Sequence, residues 1–563
     1  MHLPVVPSLT RILATAVLGL GLLLAGKAAS APAGAIRAAI EAERPSAPVR
    51  VRVTGITVPH HLLAADLIAR GFWATGRQDW KRVVILSPDH FGASRTPLAV
   101  VAGDLPTLFG SVPADTRAIR RLLKDRAMFS TTAHLAREHG INAVTPFVKH
   151  FFPKARVVAM AVSPFAGPAE LDRAMPALRR LLDQDTLVIQ STDYSHDLPL
   201  ARAVLNDQQT MNVIAAGIPS AVFGLKPVEH LDAQGAQYLQ MRLQAEAFAA
   251  APVIIANRNS AEYGASRTVT TSYLVKAWGP DSASLGALRF ADQAVTMFAG
   301  DTMTGRYFAP LLARSDVRKS VLREILAVTR NAPLVVNLEG VMPDLPVQGM
   351  PASRLAMEPV IALPLLKQAN VQAASLANNH AFDLGQDGFE ATRRTLEAGG
   401  IKPIPQSATA AVNGLHIVAL NFVQGRGAPD APLTQDADIE AICRNKATPP
   451  LVAMVHWGRE YTRSAGPAEQ AIARRLQRCG VQAVIGAHSH QASTRMEAVD
   501  GGRMLMVYSL GNFLFDQKFE GVSGALLEVR VFRQGTFAAR LVPVRNFFAV
   551  AHAKNRHAVG RPD

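Results

Sequence analysis

The chain has 563 residues, 49% hydrophobic and 18% charged, with Gly (40) and Pro (36) near ordinary usage and a formal net charge of +15. At about 150 residues per folded unit this length exceeds one core and asks for roughly two to four, and the composition excludes a disordered, collagenous or low-complexity chain. Two cysteines exclude a disulfide framework or a four-thiolate zinc site, whereas sixteen histidines leave ample material for metal centres with nitrogen and oxygen ligands.

The positive charge favours anionic polymers, phosphoesters or a membrane surface as partners. Nucleic acid is disfavoured, because arginine is spread along the chain and aromatics, at 6%, build no stacking platform.

In chain order the first element is the uncharged apolar run from Ile12 to Gly26, preceded by Arg11 and followed by Ala29-Ser30-Ala31. It is shorter than the ~20 residues of a membrane span. Residues 1–31 therefore read as a secretory signal that sends the chain to the periplasm or cell envelope, with a retained membrane anchor as the alternative. Its removal would take Arg11 and Lys27 and no acid, lowering +15 by two to +13. Residues 32–50, rich in Ala and Pro, read as a linker with one short helical stretch, RAAIEAE.

From residue 51 a repeated pattern sets in: a β-branched apolar run, a polar cluster, then an amphipathic helix, which is α/β grammar. The first series is RVVILSPDH (82–90), ARVVAMAVSP (155–164), TLVIQSTDYSH (186–196) and PVIIANRNS (252–260). A turn-rich stretch at 279–293 separates it from a second series: AVTMFAGD (294–301), PLVVNLEG (333–340), VQAASLANNH (371–380), LVAMVHWG (451–458), VQAVIGAHSH (481–490) and MLMVYSLGNFLFD (504–516). This predicts two α/β domains, 51–278 and 294–548, joined by a linker and followed by a polar basic tail over 549–563.

In the second domain Asp301, Asn337 with Glu339, Asn378-Asn379-His380, His456, and His488 with His490 each close a predicted buried strand. Loops at the carboxyl ends of such strands meet on one sheet edge, so these groups are expected to converge on a shared metal site. In Ala487-His488-Ser489-His490 the two histidines, one residue apart on an extended segment, would point the same way, toward one metal or two adjacent ones.

The ordered motifs AGDTMTGR, NLEG, ANNHAFDLGQDG, HWGREY, GAHSHQ and YSLGNFLFD closely resemble the CapA family of poly-γ-glutamate capsule proteins, a branch of the calcineurin-like metallophosphoesterases. The resemblance implies a four-layer αββα fold and a centre holding divalent Mn, Zn or Fe. By position Asp301 matches the first-strand ligand, Glu339 the bridging carboxylate and Asn379 the amide ligand. His456 and His488 look like ligands of the second metal, His490 like a ligand of the first, and His380 like the proton donor to the leaving group. The superfamily's Asp-x-His is here Asp301-Thr302-Met303, and a thioether is a poor ligand for a hard ion, which leaves the first metal position in question.

The implied activity is an exported hydrolase or transferase acting on an anionic envelope polymer or a phosphoester. Non-catalytic binding of a polymer or metal is the alternative.

The first domain offers Pro59-His60-His61, Pro88-Asp89-His90, Glu138-His139 and Ser191 to His196. Two His with one carboxylate suit non-haem Fe(II), and three His with an acid suit Zn, Cu or Fe. Asp-x-x-His is equally compatible with a hydrogen-bonded turn, and Glu138-His139 with a helix.

The strings PHH, LSPDH, EHGINAVTPFVKHFFP and STDYSH resemble the Memo family, component B of the AmmeMemoRadiSam system, which shares its fold with LigB-type dioxygenases. The resemblance implies a metal faced by His60, His90 and His196 with Asp193 beside them, holding Fe, Zn or Cu, and a redox function as a further alternative. The family's cysteine late in the domain has no counterpart, and Glu262 is the nearest oxygen substitute. Cys443 and Cys479 flank the strand carrying His456, and both a disulfide and two buried thiols are open readings.

Overall fold

The computed structural model describes residues 30–77, 79–425, 430–444, 450–519 and 522–558. Nearly all of the signal sequence read at 1–31 lies outside the described residues. Among the described residues no helix is long and apolar enough to cross a membrane.

The first half is built on a nine-stranded sheet. Its centre runs Arg156–Val162, Arg82–Pro88, Thr186–Ser191 and Gly55–Val58, all parallel, with Thr270–Gly279 antiparallel beyond. These strands are continuous apolar runs because helices cover both sheet faces. One core holds Ile56, Val83, Ile85 and Phe147, the other Val84, Leu86, Val158 and Leu239.

The second half contains two sheets. One orders Lys402–Ile404, Val371–Ser375, Leu334–Leu338, Gln293–Thr302, Gly524–Phe532 and Phe537–Val544. The other orders Thr409–Val412, Leu415–Asn421, Leu451–His456, Ala483–Ala487, Met504–Val507 and Glu497–Val499. Phe298, Val335, Ile417, Met454 and Ile485 fill the space between them. Helices Ser315–Thr329, Pro359–Gln368 and Gly385–Ala398 cover the outer face of the first sheet, and Asp436–Arg444 and Pro467–Arg478 that of the second. Four layers, αββα, follow from burying both faces of each sheet.

Three stretches read as connectors are packed structure. In 32–50, helix Ser30–Ala42 buries Ile36 and Ile40 in the first core, and Trp73 Nε1 donates to the Ile40 carbonyl at 2.8 Å. In 279–293, Leu285 and Leu288 enter that same core, and Asp292 pairs with Arg70 and Arg258. The basic tail begins as helix Phe547–Ala558, whose Phe547, Phe548 and Ala551 pack on the second domain. Each has apolar residues at helical spacing that a composition-based reading passes over.

The halves share buried contacts. Phe532 and Ala538 complete the first half's core, and Gln208, on helix Leu200–Ala216, exchanges two hydrogen bonds with the Phe537 backbone at 2.8 and 2.9 Å.

Cys443 and Cys479 form a disulfide across 36 residues, tying together the two helices that cover the second sheet. Loop-closure entropy for that span gives about 3–4 kcal/mol. Cys443→Ser with Cys479→Ser is therefore expected to lower the urea midpoint, and an unchanged midpoint would show that the unfolded chain gains nothing from release.

Candidate metal centres

Asp301 closes strand Gln293–Thr302 beside Asn337 of Leu334–Leu338 in parallel register. Gly300 lets that strand end approach the Gly511 carbonyl, where any side chain would collide, and Asp301 N donates to the same carbonyl at 2.9 Å. The Asp301 carboxylate is fully buried and accepts from Asn337 Nδ2 at 2.9 Å and from His488 N at 3.1 Å. Asn337 Nδ2 also lies 3.2 Å from His456 Nδ1, so one amide aligns the acid and the imidazole.

The side chains form two triads. Glu339, His456 and His488 make one, and Asp301, Glu339 and His490 the other; in each, one ligand atom per residue lies within 4.8 Å of the rest. Glu339 belongs to both. Asn379 Oδ1 sits 2.8 Å from His456 Nε2, which places the amide with the first triad.

The strand ends at Ala487, and His488 and His490 take φ of +90° and +56°. The expected extended segment is thus a left-handed turn, a conformation costing roughly 1–3 kcal/mol per residue and concentrated at functional sites. It sends the two rings to different triads. Met303 does not face the site: it is buried in the outer core, and its sulfur accepts from Gly305 N at 3.0 Å. Asn378 is structural, bonding the Leu338 carbonyl and the His380 amide.

The electrostatics suit a cation. Burial, reinforced by Asp301, pushes the Glu339 carboxyl up to about 8, and its Oε2 is buried without a partner. Burial holds His456 well below its ordinary range and His488 at about 4, so both rings are neutral, the state a ligand requires. His488 Nδ1 also lacks a partner. His490 is raised to about 9, Asp301 and Glu339 outweighing its burial. Orphaned acceptors and neutral imidazoles around a shared carboxylate fit divalent ions.

His380 stands at the edge with a quarter of its side chain exposed. Its Nδ1 is held 2.8 Å from Asp383 Oδ2, which also accepts from Leu355 N at 2.6 Å. Burial lowers its pKa, but the Asp383 bond and the Glu339 charge outweigh that and raise it.

In the first half the parallel strands ending at Val58, Pro88 and Ser191 carry His60, His90 and Asp193 to one edge. His60, His90 and His139 bring ring nitrogens within 4.8 Å of one another, and His139 stacks on His90 at 3.8 Å between centroids. Asp193 accepts from the His60 backbone at 3.0 Å, with its other oxygen 3.6 Å from His60 Nε2.

His196, expected to face the metal, lies outside this triad. It begins the short strand His196–Leu198. His139, at the start of helix His139–Asn142, is the third histidine of the triad. Glu262 is no substitute ligand, since it accepts from Asn259 N at 3.0 Å and from Gln534.

Asp232 was not legible in the sequence. It sits in HLDAQG with no strand before it, yet its Oδ2 is 3.2 Å from His60 Nε2 and 3.7 Å from His90 Nε2. Only a carboxylate ahead of helix Gln234–Phe248 hinted at it.

Residues 295–517 match the family described as Bacterial capsule synthesis protein PGA_cap, and residues 24–273 match Memo-like protein. The chain thus pairs a region similar to Memo-like proteins with a region similar to the PGA_cap family, called below the Memo-like half and the PGA_cap half. The PGA_cap half is 28% identical over 204 residues to PGA biosynthesis protein CapA of Bacillus subtilis (strain 168), covering 32% of this chain and 53% of that protein. It is 26% identical over 203 residues to Capsule biosynthesis protein CapA of Bacillus anthracis, covering 32% and 49%. The Memo-like half is 28% identical over 153 residues to a MEMO1 family protein of Aquifex aeolicus (strain VF5), covering 26% and 40%. The chain therefore spans about half or less of each of these relatives. The Memo-like match begins upstream of residue 51, where helix Ser30–Ala42 packs on that half's core.

Proposed function

We propose that the PGA_cap half is a metal-dependent hydrolase or transferase, exported to the cell envelope, acting on an anionic polymer such as poly-γ-glutamate or on a phosphoester. One observation carries this reading: a single buried carboxylate, Glu339, common to two triads of oxygen and imidazole donors. Glu339, His456, His488 and Asn379 would hold one divalent ion, and Asp301, Glu339 and His490 the other. Bound there, such ions supply Lewis-acid polarisation of a phosphoryl or acyl oxygen and a nucleophile from water at neutral pH.

The chain's own residues do the rest. Asn337 and the His488 amide orient the Asp301 carboxylate, and His380, aligned by Asp383, presents Nε2 as the proton donor to a leaving group. The net charge of +13 left after removal of residues 1–31, from +15 for the full chain, would concentrate an anionic substrate near the site.

Full-length protein loaded with Mn2+ or Zn2+ is expected to cleave bis-p-nitrophenyl phosphate or poly-γ-glutamate, and His456→Ala to abolish cleavage. Absence of turnover with both metals and both substrates, alongside polymer binding that survives chelation, would overturn the catalytic reading.

A further inference from the structure

The rings of His60 and His90 are both fixed from behind. His90 Nδ1 is 2.6 Å from Glu138 Oε1 and His60 Nδ1 is 3.3 Å from Ser191 Oγ, which leaves each Nε2 free on the side facing Asp232. A ring nitrogen held by a carboxylate or hydroxyl while its opposite nitrogen is turned toward other donors is the usual second-sphere arrangement of a metal-ligating histidine.

Asp232 Oδ2 stands 3.2 and 3.7 Å from those two nitrogens. Donors about 2.0–2.2 Å from a tetrahedral ion lie about 3.4 Å apart, so the two spacings to Asp232 are those of neighbouring ligands on one ion. The second oxygen of Asp232, Oδ1, is buried without a partner.

Asp193 is less well placed: its Oδ1 is occupied by the His60 amide, and its Oδ2, 3.6 Å from His60 Nε2, does not match the approach of Asp232 to both His60 and His90. Its role is to position, since it also donates its own backbone N–H to Asp232 Oδ2 at 3.2 Å. His139 approaches from the solvent side, with over half of its side chain exposed.

We infer that Asp232 is the third ligand of a metal centre completed by His60 and His90, a two-histidine, one-carboxylate face suited to a divalent ion such as Fe2+ or Zn2+ rather than Cu+. No thiolate is at hand to favour the softer ion, because both cysteines are consumed in the Cys443–Cys479 disulfide in the other half. His139, exposed beside the His90 ring, is the one histidine of this cluster that solvent reaches freely.

Cobalt(II) is the probe, with full-length protein throughout. Asp232→Asn, which preserves shape, is expected to lose one equivalent of bound Co2+ while the PGA_cap half keeps its own. Asp193→Asn should retain that equivalent with roughly 10–100-fold weaker affinity, as removal of an orienting group does. Asp232→Cys should place a thiolate on the ion and add a sulfur-to-cobalt charge-transfer band absent from the parent protein. Unchanged Co2+ stoichiometry in Asp232→Asn, or an Asp232→Cys protein with native circular dichroism that loads Co2+ without the band, would overturn the assignment.

Discussion

Glu339→Gln is expected to remove two metal equivalents from the protein at once and to lower turnover roughly a thousandfold, the equivalent of several kcal/mol of lost electrostatic stabilisation. The substitution keeps size and shape but deletes the one charge shared by both triads. Without a cation this carboxyl is held near 8 by burial and by Asp301, so the fold itself does not depend on its ionisation and a neutral amide should be tolerated. His488→Ala, which touches one triad only, should cost a single equivalent. Metal content of the two purified variants, measured beside the parent protein, separates the outcomes. Retention of both equivalents by Glu339→Gln would mean that the triads are not joined through this residue.

The second large effect concerns His380. As the proton donor its replacement by Ala should lower turnover by about 10²–10⁴-fold, with metal content unchanged. Without a bound ion its pKa is raised from the ordinary 6.5 despite burial, the Asp383 hydrogen bond being the largest raising influence. Activity should fall on the alkaline side as that proton is lost. Asp383→Asn removes one of the raising influences, so the alkaline limb must move to lower pH. A limb that stays in place, or moves up, would assign the proton to another group. Poor leaving groups should show the His380→Ala loss in full and activated aryl leaving groups much less, since the latter need no proton.

The PGA_cap centre was the more legible of the two in sequence, for a physical reason. Asp301, Glu339, Asn379, His456 and the His488/His490 pair each follow an apolar run that is buried on both faces, and parallel strands deliver their carboxyl ends to one edge. The pattern did not specify the backbone at Ala487–His490, where an extended segment was expected and a left-handed turn is found. Period-two reasoning stops where the ladder ends.

In the Memo-like half the same strand-end logic named His60, His90 and Asp193, which the fold brings to one edge, and His196, which lies outside the histidine triad. It undervalued His139, on a helix, and passed over Asp232, on a loop, because neither position has a periodicity that announces its direction. Loop and helix contributions to a site are fixed by tertiary packing, here by helix Gln234–Phe248 against the sheet, and no local rule reports them.

Saturating the full-length protein with Mn2+ and recording its electron paramagnetic resonance spectrum tests the central claim most directly. Two triads joined through Glu339 predict a spin-coupled manganese pair, lost in Glu339→Gln. A spectrum containing only isolated Mn2+ signals at full loading would contradict it.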